Sequence, residues 1–442
     1  MIRGAPLLIL RFPLRLPERV AVSAAGRGKR GEAALANMTQ RDKQINFLIC
    51  LADAVGFPLG IAFFSTQTIL PAFLEHCGAS PAVLGALNGL ASLLILGPGL
   101  LTVGVLQRLK QVRYWLFWVA LIERLFLLPL AFLTPLWGKT HPDWLVIATF
   151  IGFCGHSLAM GFNIPAYWTA IGKTIPIHWR GRLFGIAGGI AGVCTLGTEW
   201  VLRHVMLGSG FPGGYGLGFG IGFAILTATV IPFLFLREPD GRPPEGTEAP
   251  PRLSVALLRA TWAADPRFRR LGYSQVVFAL TQVAAPFLAL FAARRFGAAN
   301  ADLALYTAVS IFAASVAALL IGWLADRVGN HPMVVLACVA AMACFALALL
   351  APSGASFALV FVLWALATAG IDLAASNLMM ELAGEPSKIP LYSSLYNVVR
   401  AAPRMVAPWL GGLAVASVGY GPLMGVAASA ALASLLLLRA KH

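Results

Sequence analysis

Ionisable residues stand inside otherwise apolar stretches of this 442-residue chain: Asp53, Glu123, Arg124, His156, Glu199, Asp372, Glu381, Arg400 and Arg404. In hydrocarbon each needs a partner or a water-filled cavity, so these are the places where protons, ions or polar solutes would be handled. Asp53 heads a stripe with Phe57, Gly60, Phe64 and Gln67 at near-helical spacing. About two turns into its stretch, it reads equally as a helix-start anion beside the headgroups. His156 and Asn163 lie seven apart on one face. An imidazole titrates near neutral pH and could carry a coupling proton; a hydrogen-bonded structural histidine fits the same place. Pro165 follows closely and fits a broken helix lining a cavity. Gln275 and Gln282, again seven apart and followed by Pro286, suit a polar substrate or a neighbouring helix.

Asp372 and Ser376 stand at i, i+4, and Asn397, Arg400 and Arg404 at i, i+3, i+7. Two arginines on one stripe require acids or an anionic ligand. Asp372 and Glu381 precede them on the neighbouring stretch, so an Asp–Arg lock is the first reading and an anion site the sharper one. Glu123 and Arg124 are adjacent and so are expected to point in different directions. Glu199 is a proton-site candidate close to Arg203.

The elements that position these groups are set by composition. The chain is 59% hydrophobic and 12% charged, against about a quarter charged for a soluble protein. A bilayer core of ~30 Å needs about 20 apolar residues per helix. That rule predicts twelve spans, near 46–73, 82–104, 113–135, 144–171, 183–206, 214–236, 272–293, 302–324, 332–351, 355–382, 391–416 and 419–438. The expected fold is all-α, a polytopic membrane protein with a six-helix bundle over 46–236 and a second over 272–438. The linker 237–271 begins REPDGRPPEGTEAPPR, too rich in Pro, Gly and charge to pack; Leu253 to Ala264 is expected to form a short surface helix. Residues 1–45 read as a basic, disordered extension, with Met38 opening a compact alternative start, MTQRDKQINFL.

The net charge of +15 would suggest nucleic acid in a soluble protein. Here the basic residues fall in the short gaps between apolar runs, as topology determinants do. With the N-terminus inside, only Lys139, Arg203, Arg294 and Arg295 lie in outer loops, and Arg124, Arg400 and Arg404 lie within spans. Both termini are therefore expected in the cytoplasm, in a plasma or bacterial inner membrane, with anionic lipids as contacts. The six cysteines form no CxxC pair and suggest no disulfide or metal site. No GxxxxGK[ST], HExxH or GxSxG occurs, so neither an enzyme nor a fuelled pump is indicated, and no cofactor is expected.

The halves echo each other in Pro71 and Pro286, in Gly104 and Gly322, and in Pro176 and Pro386. The run Gly322-Trp-Leu-Ala-Asp326-Arg327-Val-Gly329-Asn330 resembles the loop signature of the major facilitator superfamily, G-x-L-a-D-R-x-G-[RN]-[KR], and Arg180-Gly181-Arg182-Leu183-Phe184-Gly185 is also similar to that family. The departures are specific: the first-half loop at Gly104 has no acid, and the arginine-containing motif of span 4 and the Gly-Pro element of span 5 seen in drug antiporters are missing.

The resemblance implies two halves rocking around a central site lined by spans 1, 4, 7 and 10, with span 3 at the periphery and Glu123 and Arg124 therefore in packing or interface roles. Asp326, an anion suited to a helix N-terminus, would meet the start of span 5 near Arg180 and Arg182 as a cytoplasmic latch, formed when the outside is open and broken when the inside is open. An ordinary topogenic turn is the plainer reading. The function expected is transport of a small molecule by alternating access, passive or coupled to a proton or ion, by a monomer. A non-transporting sensor or scaffold on the same fold is the alternative.

Overall fold

The computed structural model describes residues 38–98, 102, 105–106, 109–239, 255–297, 300–383 and 389–439. Most of the basic extension, much of the linker and the run 384–388 lie outside the described residues. Those described are helical, with no strand among them.

Among the described residues, twelve rods follow the hydropathy pattern. Ten helices among the described residues are long and apolar enough to cross a membrane. Pro81–Leu96 is a shorter apolar helix in the place of span 2. Ile389–Val418, with Pro403 and Pro408 inside it, is span 11. Two starts lie several residues before the expected ones, because polar caps continue the helix out of the apolar run. Span 7 starts at Pro266 rather than 272, where Asp265 caps it by accepting from the backbone N–H groups of Arg267 and Phe268. Span 1 starts at Gln40, where Thr39 accepts from the Asp42 N–H. Residues 40–45, assigned above to a disordered extension, are therefore its first turns.

Two spans are broken at matching places in the two halves. Span 1 runs Gln40–Ile61, passes through a 3₁₀ turn at Ala62–Phe64 and resumes as Ile69–His76. Span 7 runs Pro266–Ala279, passes through 3₁₀ turns at Leu280–Val283 and Ala285–Phe287 and resumes as Leu288–Phe296. The weak sequence echo of Pro71 and Pro286 thus has a structural counterpart. Span 4 differs from expectation: it is one helix, Pro142–Thr174, with Pro165 inside. Pro165 has no N–H to bond the Gly161 carbonyl, and beside that gap Trp115 of span 3 donates its ring N–H to the Phe162 carbonyl at 3.5 Å, the kind of contact with a neighbouring helix that lets a proline sit in a membrane helix. Span 10 contains a π-helical turn at Gly370–Ala374, which carries Asp372.

The start of the linker is pinned to the first bundle. Asn46 donates to the Arg237 carbonyl at 2.7 Å and accepts from its N–H at 2.8 Å. Glu238 accepts from the N–H groups of Val112 and Arg113, at 3.0 and 2.7 Å, and so caps span 3. The short surface helix expected in the linker is present as Val255–Ala264.

Span 2 packs on span 11 and span 5 on span 8, which joins the halves. On the side away from the termini this contact is backbone-tight. A Cβ placed on Gly85, Gly89 or Gly412 would strike the carbonyl oxygen of Pro408, Met405 or Pro81 respectively. Small residues are what permit helices to approach this closely.

Candidate functional site

The buried ionisable residues collect into one cluster in each half. In the first half, spans 1, 3, 4 and 6 bring together Asp53, Glu123, Arg124, His156, Asn163 and Thr229. The Arg124 guanidinium lies 3.0 Å from Glu123 and 3.9 Å from Asp53. It also donates to the carbonyls of Ala120 and Leu226. Glu123 faces His156 Nδ1 at 3.6 Å and accepts from Asn163 at 3.4 Å. Thr229 donates to Asp53 at 3.4 Å. Glu123, Arg124 and His156 are at most 3% exposed, so water does not satisfy them and the network must satisfy itself.

The expectation for Glu123 and Arg124 is corrected here. They do not diverge into peripheral packing: the long arginine side chain curls back on its neighbour, and both sit at the centre of the cluster. A usable signal was present in the sequence. An acid and a base adjacent in the middle of an apolar run are too costly to face lipid.

In the second half, spans 7, 10 and 11 meet around two arginines. Arg404 reaches Asp372 at 3.3 Å and Arg400 reaches the same carboxylate oxygen at 3.8 Å. Arg400 lies over the Tyr396 ring, 4.5 Å from its centroid. The Tyr396 hydroxyl donates to Gln275 Oε1 at 3.3 Å. The Arg400 side chain is 6% exposed, whereas that of Asp372 is 58% exposed. Arg400 and Asp372 each lie ~17 Å along their helices from the terminal side, at about 1.5 Å per residue. Arg404 is followed by Met405 and Pro408, which touch span 2. The cluster therefore sits where the two halves part.

The remaining candidates stand apart. Glu199 pairs with Arg203 at 2.5 Å on the far end of span 5. Glu381 accepts from Asn330 at 2.6 Å and serves neither arginine. Gln67, Gln282 and Asn397 are half-buried, and no hydrogen bond joins their side chains to either cluster among the described residues. No group of His, Cys, Asp and Glu suited to a metal occurs among the described residues.

On the far side, the halves are also joined by polar contacts. Thr68, in the break of span 1, shares a hydrogen bond of 2.5 Å with Thr307 of span 8. Glu75 meets Arg294 at 3.5 Å, and Arg294 lies over the Tyr420 ring at 5.1 Å.

Residues 271–441 match the sequence profile of the Major Facilitator Superfamily. That match runs from span 7 to span 12 and includes the Gly322–Asn330 loop. The fold agrees along both halves. A variant of the nucleoside transporter NupG superposes with a TM-score of 0.67 at 15% identity, covering 89% of this chain and 98% of that one. A bacterial homolog of the human lysosomal transporter Spinster, inward-facing and unoccupied, gives 0.62 at 16% identity, covering 91% and 95%. A D-xylose-proton symporter gives 0.61 at 16% identity, covering 90% and 96%. No curated protein matches by sequence.

The superfamily loop signature can now be located. Gly329 has φ 89° and makes the turn between spans 8 and 9, a conformation that favours glycine. Arg327 stacks on Trp323 at 3.7 Å. Asp326 is exposed and has no partner among the described residues. Nothing lies within 4 Å of a Cβ placed on Gly322. Arg180 bonds the carbonyls of Ile175 and Gly172, at 3.1 and 2.9 Å, at the C-terminal end of span 4, where a cation is favoured. Arg182 is exposed. In this conformation Asp326 makes no bond to Arg180 or Arg182.

Proposed function

We propose that this protein carries a small molecule across the membrane by alternating access, with both termini cytoplasmic. The observation that carries the reading is the asymmetry between the two ends of the interface. The far side is joined by Thr68–Thr307, Glu75–Arg294 and the glycine contacts of spans 2 and 11. On the terminal side Asp326 is unengaged and Gly322 faces open space. That asymmetry supports the reading of a carrier open toward the side that bears its termini. The Lys/Arg distribution supports the cytoplasm as that side.

The first-half cluster supports coupling to a proton. Asp53 and Glu123 supply two carboxylates against the one guanidinium of Arg124, with His156, Asn163 and Thr229 facing them. With a neutral imidazole, one negative charge is left over in a buried site, and a single bound proton cancels it. A proton held at Glu123, His156 or Asp53 would move with the conformational change.

The deciding experiment is flux in proteoliposomes with a panel of nucleosides, pentoses and small organic acids, with and without a pH gradient. Uptake of at least one class, accelerated by the gradient and uncoupled from it in Glu123→Gln, is the expected result. Absence of flux across the whole panel favours the sensor or scaffold reading of the same fold.

A further inference from the structure

We infer that the second-half cluster is a recognition site for a small organic anion, a monocarboxylate, and that this anion is the carried substrate. The inference rests on the transport reading and adds the substrate class to it.

The charge count is the first argument. Arg400 and Arg404 present two guanidiniums to one carboxylate, Asp372, at 3.8 and 3.3 Å. Among the described residues, one positive charge of this cluster is therefore uncompensated. Glu381, the other acid of span 10, is held by Asn330 at 2.6 Å and does not offset it. A guanidinium with 6% of its side chain exposed loses most of its hydration, and such a charge is retained only where a counter-charge can reach it.

The hydrogen-bond count is the second argument. Arg400 Nε and Gln275 Nε2 are both buried donors without an acceptor. Gln275 is 2% exposed. The two residues flank Tyr396, whose ring lies under the Arg400 guanidinium and whose hydroxyl bonds Gln275. Buried donors left open beside an excess positive charge ask for an acceptor that is itself negative. Asp372 already holds the arginines from its exposed side, so an entering carboxylate replaces it or bridges the same donors. A monoanion brings the cluster to neutrality, whereas a phosphate dianion would leave it negative.

The same count links the halves. The first cluster lacks one positive charge and the second lacks one negative charge. A proton and a monocarboxylate taken up together satisfy both, and their movement carries no net charge.

The test is thermal unfolding of the purified full chain in detergent with lactate, benzoate or glycerol 3-phosphate, and with the neutral lactamide, benzamide and glycerol as controls. Lactate or benzoate should stabilise the protein saturably, and the amides and glycerol should not. Arg404→Gln should weaken the effect roughly tenfold or more, and Asp372→Asn should strengthen it, since the internal competitor is gone. These opposite signs separate recognition from misfolding. Stabilisation equal for acid and amide, absent for both carboxylates, strongest with glycerol 3-phosphate, or unchanged in both variants overturns the inference. Flux is read separately. A variant-sensitive carboxylate shift without flux preserves the site and removes transport. Flux of neutral solutes without that shift preserves transport and removes the anion site.

Discussion

The hydroxyls of Thr68 and Thr307 bridge the two halves of the protein at 2.5 Å, across 239 residues of sequence. Thr68 sits in the broken segment of span 1, and Thr307 is in the far third of span 8. A bond between the halves at this depth must break if the far side is to open.

Joining these two positions covalently should therefore lock the carrier. In Thr68→Cys/Thr307→Cys, oxidation is expected to abolish uptake, and dithiothreitol should restore it. The neighbouring hydroxyls place the two Cβ atoms within the range a disulfide or a short cross-linker spans. Cross-linked protein that transports at the wild-type rate would show that this contact does not open.

Asp326 calls for the opposite reasoning. It has no partner among the described residues, so Asp326→Asn should leave this conformation as stable as before. If Asp326 caps the start of span 5 in the other conformation, the substitution removes a contact only there. Uptake should fall several-fold with no loss of thermal stability, and Ser376→Cys in the same background should label faster from the terminal side. Unchanged flux and unchanged labelling would make the loop an ordinary charged turn.

The twelve spans were legible because bilayer thickness imposes one length on every helix. Their ends were not, because caps such as Asp265 and Thr39 are polar and lie outside the apolar run. Single buried charges were also legible, as at Asp53, His156 and Arg400, since charge in an apolar run is conspicuous. What the sequence could not supply was the partner. That Glu123 faces His156 depends on the packing of spans 3 and 4, and the curl of Arg124 onto Glu123 depends on side-chain length, which helical spacing ignores. Pro165 misled for a related reason: span 4 runs through it as one helix, while the breaks at matching places in the two halves fall in spans 1 and 7.

Removing Arg124 gives a stability test of the first cluster. Arg124→Ala leaves the Asp53 and Glu123 carboxylates buried without their cation, a change that destabilises by about 3–5 kcal/mol in comparable sites. Arg203→Ala breaks the Glu199 pair, whose side chains are 38% and 21% exposed, and should cost about 1 kcal/mol or less. Thermal unfolding in detergent should separate the two clearly. Adding Glu123→Gln to Arg124→Ala should recover part of the loss, because one of the stranded charges is then gone. Equal effects of Arg124→Ala and Arg203→Ala would mean that water enters the cluster.

The glycines of spans 2 and 5 are alike in sequence and should behave oppositely. A Cβ on Gly89 meets the Met405 carbonyl oxygen, whereas Gly185, Gly189 and Gly197 have nothing within 4 Å. Backbone cannot move aside as a flexible side chain can, so Gly89→Ala must push span 2 away from span 11. That weakens the seal of the far side and shifts the population toward its opening. In span 5, alanine adds helix propensity of up to about 1 kcal/mol per site and meets no obstacle. Gly89→Ala should therefore lower both thermal stability and uptake, while Gly197→Ala should keep uptake and hold or raise stability. Because both changes add one methyl group to a membrane helix, only the neighbour across the interface can account for a difference between them. Equal tolerance at the two sites would mean that spans 2 and 11 do not pack backbone to backbone.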